Sequence, residues 1–206
     1  MNYLDSLQKI DKKYRGQILK KYGRHVRWSN WRANLVSDVE IIPLCECAHE
    51  HVDLSQKRGK CVYSTGKICL REDAFLRNGE VNEHLLVHEF IHRLSRNELR
   101  INREIKIWIA GFDYPGNDVK PAAFNELLTE WIAHDITGIK ENTIYQVYLT
   151  EIDTLNNLLG NRRFRKLMRA FFHSDIKAMA DLLCFAYGDK AAKQINYWAA
   201  LLDKAK

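Results

Sequence analysis

Apolar residues fall along this chain in two rhythms, one of three to four residues and one of two. Leu4, Leu7, Ile10, Tyr14 and Ile18 keep the first, which predicts a helix that Gly23 ends. Val39-Glu40-Ile41-Ile42-Pro43-Leu44 reads as a strand. Cys61-Val62-Tyr63 and Lys67-Ile68-Cys69-Leu70 flank the turn residues Ser64-Thr65-Gly66-Lys67, so adjacent strand segments are expected there. From Val81 to Ser95 the helical rhythm returns. Leu85, Leu86, Val87, Phe90, Ile91 and Leu94 cover so much of that helix that it should be buried on most sides. Glu104 to Phe112 alternates through Ile105, Ile107 and Ile109 toward a strand that ends at Gly111. After Pro121 the chain reads as helices: around Leu127–Ile132, Tyr145–Leu155, Arg163–Phe172, Ile176–Tyr187 and Ala191–Ala205.

These elements predict an α+β fold, with a small, mainly antiparallel sheet packed on the helix near His88 and an all-helical C-terminal half. Only three prolines occur, and no low-complexity linker or repeat marks a boundary. The 206 residues therefore read as one domain, with an α+β part over 1–112 and a helical part over 113–206.

Composition narrows the setting. Hydrophobic residues make up 46%, enough for a real core and against global disorder. The net charge of +6 is spread along the chain, so no nucleic-acid partner is expected. No apolar run approaches the ~20 residues needed to cross a bilayer, and the first ten residues lack the apolar core of a signal peptide. Five cysteines, an odd number, do not form a disulfide framework. A cytoplasmic protein without membrane attachment is the expectation, although export without a cleaved signal would leave the same sequence. Oligomeric state is not legible.

The most specific chemistry lies in Leu85-Leu86-Val87-His88-Glu89-Phe90-Ile91-His92-Arg93-Leu94-Ser95. His88 and His92 are four apart on the predicted helix, so their imidazoles leave one face a turn apart and can share a metal. Glu89 lies about 100° around the helix from His88, within reach of a water on that metal without binding the metal itself. The apolar neighbours dry the site and strengthen its electrostatics. Catalytic zinc takes three protein ligands and keeps one position open. Downstream, Asn125-Glu126-Leu127-Leu128-Thr129-Glu130 again sets two acids at i and i+4. One carboxylate can bind the metal while the other takes a hydrogen bond from the free nitrogen of a ligand histidine, fixing its tautomer. Two carboxylates beside Leu127, Leu128, Trp131 and Ile132 are costly to bury without a cation or imidazole as partner. Zinc meets that need.

In order along the chain, His88-Glu89-Phe90-Ile91-His92 and Asn125-Glu126-Leu127-Leu128-Thr129-Glu130 resemble the gluzincin pattern, HExxH followed by N-E-x-x-[ST]-[DE]. The chain is similar to the small bacterial gluzincin-like zinc metallopeptidases, in which the second motif often reads NExxTE. The resemblance covers about Lys60 to Gly138; the chain has no room for the two lobes of thermolysin. It implies a zincin-like fold, Glu126 as the third zinc ligand, Glu130 as the partner that orients a ligand histidine, and hydrolysis of a protein or peptide substrate. Glu89 then acts as general base toward the zinc-activated water. Gluzincins commonly use a Tyr or His donor for the oxyanion; Tyr145, Tyr148 and His134 are candidates here, the two tyrosines equally good core residues.

Other residues carry weaker signals. His84, one turn before His88, is expected as a helix-surface or cap-adjacent histidine rather than a metal ligand. Cys45, Cys47, His49 and His51 alternate and hint at a second metal site, but strict i+2 spacing on an extended chain spans too far for one tetrahedron. Arg162-Arg163-Phe164-Arg165-Lys166 and Arg169 read as a solvated helix face, and Tyr197 and Trp198 as core or docking surface. Two other readings remain open at this stage: a regulatory protease resembling the ImmA/IrrE group acting on a repressor, and a non-catalytic interaction protein that contains zinc. The Glu126 motif fits the gluzincin arrangement better than the first, and Glu89 has no purpose in the second.

Overall fold

A computed structural model describes residues 3–31, 36, 38–43, 54, 58–77, 80–101, 105–113, 121–139 and 145–205. The fold is α+β with a helical C-terminal half. Helix α1 (Tyr3–Tyr22) buries Leu7, Ile10, Tyr14, Ile18 and Tyr22, the face that its spacing predicts except at Leu4, which is exposed. A single turn, α2 (Trp28–Trp31), follows. Strands β1 (Val39–Ile42), β2 (Gly59–Val62) and β3 (Lys67–Arg71) form a sheet in the order β1-β3-β2. The expected pairing of the two segments around Ser64–Lys67 is present and antiparallel, with Cys61 opposite Ile68. β1 pairs with β3 in parallel, Val39 opposite Ile68.

After β3 come α3 (Glu72–Phe75), the short hairpin of β4 (Leu76–Arg77) and β5 (Glu80–Val81), and α4 (Glu83–Leu94). Asn82 caps α4 by accepting the Leu85 N–H at 3.0 Å. Strands β6 (Arg96–Ile101) and β7 (Ile105–Ala110) form an antiparallel hairpin, so the alternating segment before Gly111 has a partner that its own polar sequence does not announce. Among the described residues, the single small sheet expected is thus three separate sheets: one mixed, two antiparallel.

The rest of the described chain is helical: α5 (Pro121–Thr137), α6 (Tyr145–His173), α7 (Ile176–Tyr187) and α8 (Ala191–Ala205). Gly160, at φ 67°, kinks α6 and divides the two helical stretches read from the sequence. Among the described residues, no helix is long and apolar enough to cross a membrane. On α6, Arg162, Arg163, Arg165, Lys166 and Arg169 are exposed while Phe164, Leu167 and Met168 are buried, as its pattern indicates.

One main core runs through the described chain, with a small separate cluster of Leu54 and Cys69. α4 lies between the β1-β3-β2 sheet and α5, and buries Leu86, Val87, Phe90, Ile91 and Leu94. α5 packs in turn on α6 and α8. Phe112, Phe124 and Trp198 stack, with ring centroids 5.7 and 4.7 Å apart and planes within 10°, which fixes the start of α5 against α8. Trp198 is therefore core, while Tyr197 beside it is largely exposed.

Gly111 holds this corner together. Its φ of +55° is left-handed, and a Cβ there would stand 2.0 Å from Asn125 Oδ1 and 2.5 Å from Phe171. That close approach lets Asn125 Oδ1 accept the Phe112 N–H at 2.9 Å. Gly111→Ala is expected to cost about 2–4 kcal/mol through backbone strain and overpacking. A shift of the urea midpoint measures it; an unchanged midpoint would remove Gly111 from this role.

Candidate metal centre

The sequence builds the centre on two helices that face each other. α4 is amphipathic only in a narrow stripe, and that stripe carries His84, His88 and His92 at i, i+4 and i+8. α5 answers with Glu126 and Glu130, one turn apart. His88 Nε2 and His92 Nε2 are 3.1 Å apart. Glu126 sets its Oε2 3.3 Å from His88 Nε2 and its Oε1 3.2 Å from His92 Nε2. A tetrahedral zinc with bonds of 2.0–2.1 Å holds its ligand atoms about 3.3 Å apart. The two imidazole nitrogens and the carboxylate, each oxygen of which faces one of them, bring ligand atoms within 4.8 Å of one another, close to that spacing, and form a group able to hold a metal ion.

Two buried nitrogens and a carboxylate drawn this close must be compensated. Without a metal, protons do it. Burial pulls the His88 pKa down, but its hydrogen bonds to Glu126 and Glu130 outweigh it and hold the imidazole well above its usual range. Burial likewise acts to raise Glu126, and the charge and hydrogen bonds of His92 and His88 override it, so the carboxyl lies well below its usual range. The Glu126 side chain is 37% exposed, against 5% for His92, so the centre opens to solvent on the Glu126 side.

Glu130 stands where the histidine-orienting partner was expected. Its Oε2 is 2.9 Å from His88 Nδ1. Desolvation works against its ionisation, yet bonds to His84 and His88 bring its pKa down to about 2. At neutral pH it is a carboxylate that accepts the His88 Nδ1–H, leaving Nε2 free to bind.

Glu89 is 5% exposed and lies against β2. A Cβ on Gly59 would stand 2.8 Å from Glu89 Oε1, so the absence of a side chain at 59 is what admits the carboxylate. On the same strand, burial and then the Glu89 charge push the Cys61 thiol up to about 12, keeping it a neutral core residue. Cys61 and Cys69 are both buried, unpaired cysteines.

The remaining sequence candidates divide. His84 is not a surface histidine: it is 5% exposed, with Nε2 2.8 Å from Glu130 Oε1. Its sequence position, one turn before a metal-binding pair, was the available signal, and the burying partner 46 residues away was not. Tyr145 and Tyr148 begin α6, and their side chains lie outside the described residues. The segment of Cys45, Cys47, His49 and His51 lies outside them as well. His134 sits on α5 two turns past Glu126, about 12 Å along the axis, which takes it away from the triad.

The structure adds a phenol that the sequence placed only in the strand region. Tyr63 follows β2, its ring centroid is 6.5 Å from that of His92, and its hydroxyl donates to Asp113 Oδ2 at 3.1 Å. Burial, then the charges of Asp113 and Glu126, push its pKa up, so it remains a proton donor at any ordinary pH. In comparison with known proteins, no family model, curated protein or solved structure matches the chain.

Proposed function

We propose that this protein is a zinc-dependent peptidase of the gluzincin-like, zincin-fold kind, acting on a protein or peptide substrate. The convergence of His88 Nε2, His92 Nε2 and the Glu126 carboxylate at 3.1–3.3 Å carries the reading. Three protein donors with one open side suit a catalytic site; a structural zinc site is closed by four. A bound zinc supplies Lewis acidity, polarising a carbonyl and lowering the pKa of its water toward about 7.

The chain's own residues supply the rest. Glu130 holds His88 in one tautomer. Glu89 takes the proton of the attacking water and passes it to the leaving amine, a role open to a carboxylate one residue along from a ligand histidine. For the negative charge that develops on the carbonyl oxygen, Tyr63 becomes a donor once its single hydroxyl hydrogen turns from Asp113 to that oxygen, and Tyr145 and Tyr148 are the other candidates for the part.

Cleavage of an unfolded protein such as casein should stop on chelation and return with zinc; chelator-resistant cleavage would refute the reading. The Gly59 contact gives a second test. Gly59→Ala should displace Glu89 and lower turnover by up to about 10²-fold while zinc content stays at the wild-type level. Undiminished turnover would separate Glu89 from the chemistry.

A further inference from the structure

His84 belongs to no ligand set, yet it is buried in the row that carries both ligand histidines. Glu130 is one carboxylate shared by two imidazoles: Oε2 with His88 Nδ1 at 2.9 Å, and Oε1 with His84 Nε2 at 2.8 Å. Beyond His84 the chain of contacts continues, for its Nδ1 lies 3.0 Å from Thr137 Oγ1. Thr137 donates its single hydroxyl hydrogen to the Ala133 carbonyl at 2.9 Å and accepts the Ile139 N–H at 3.3 Å. Its remaining lone pair faces His84 Nδ1, and Glu130 Oε1 faces His84 Nε2, so the ring is held at both nitrogens.

A carboxylate with one hydrogen-bond partner can rotate; one held at both oxygens cannot. The need for a fixed Glu130 is greater because His92 Nδ1 is buried and has no hydrogen-bond partner among the described residues. The aim of the imidazole pair then rests on His88. We propose that His84 is a positioning residue of the metal centre: it clamps Glu130 Oε1, so that Oε2 stays on His88 Nδ1 and His88 Nε2 stays aimed at the ion. The proposal rests on the metal reading above and extends the centre by one helical turn, to a row of three histidines facing Glu126, Glu130 and Thr137.

Zinc affinity, measured by competition with a chromophoric chelator and set beside melting curves of the metal-free proteins, tests it. His84→Leu should weaken zinc binding by about 10- to 100-fold, the usual effect of losing a partner behind a metal ligand. His84→Gln, whose amide N–H can still reach Oε1, should recover most of that loss. Thr137→Val, which frees the far side of His84, should weaken binding in the same direction by less. A merely structural role would lower the metal-free melting temperature and leave the affinity of the folded protein unchanged. Should His84→Leu not fold, Thr137→Val decides. Zinc binding at wild-type strength in folded His84→Leu, or in Thr137→Val where the leucine variant does not fold, overturns the proposal and leaves the metal centre standing. A wild-type protein that binds no zinc overturns both.

Discussion

Glu89→Gln is expected to retain zinc at the wild-type level and lose about 10²–10⁴-fold in the rate of peptide hydrolysis, the range a general base supplies. The two side chains are nearly isosteric, so the fit against Gly59 survives. What is lost is the capacity to take a proton. Initial rates on casein, with metal content measured on the same samples, separate the two properties. A glutamine variant that cleaves as fast as the wild type would remove the enzymatic reading and leave a zinc-binding protein.

The second large effect concerns the third ligand. Glu126→Ala removes the one carboxylate among the described residues that reaches both ligand imidazoles and should weaken zinc binding by more than ~100-fold, beyond the loss from any residue behind the ligands. The wild type should also bind zinc with proton release. Burial lowers His88, but Glu126 and Glu130 win and keep it protonated well above the usual imidazole range in the metal-free chain. Zinc must displace that proton. Apparent affinity therefore falls as pH falls, by about tenfold per unit for each proton displaced, and rises until pH passes the raised His88 value. Calorimetric titration in two buffers of different ionisation heat counts the protons. Zinc uptake with no proton release would mean that His88 is not a ligand.

Much of this centre was legible because helical spacing alone fixes it. His88 and His92 at i and i+4, and Glu126 and Glu130 at i and i+4, each define one stripe before any packing is known. That the two stripes face each other followed from chemistry, since buried acids and imidazoles need partners. What stayed hidden depends on contacts distant in sequence. β6 reads Arg96-Asn97-Glu98-Leu99-Arg100-Ile101, a polar stretch that is a strand through its pairing with β7. β1 joins β3 in parallel across more than twenty residues, a pairing that no local pattern encodes. His84 looked like a surface residue because the sequence does not show that α5 covers it. Tyr63 looked like one more strand residue because its partner Asp113 lies 50 positions away.

The central claim is that His88, His92 and Glu126 close on a single ion. X-ray absorption on chelator-treated protein reconstituted with zinc tests it most directly. One tightly bound zinc per chain is predicted, with two imidazole nitrogens, oxygen donors and no sulfur in its shell. No tight binding, or a shell containing sulfur, would contradict it and turn attention to Cys45 and Cys47.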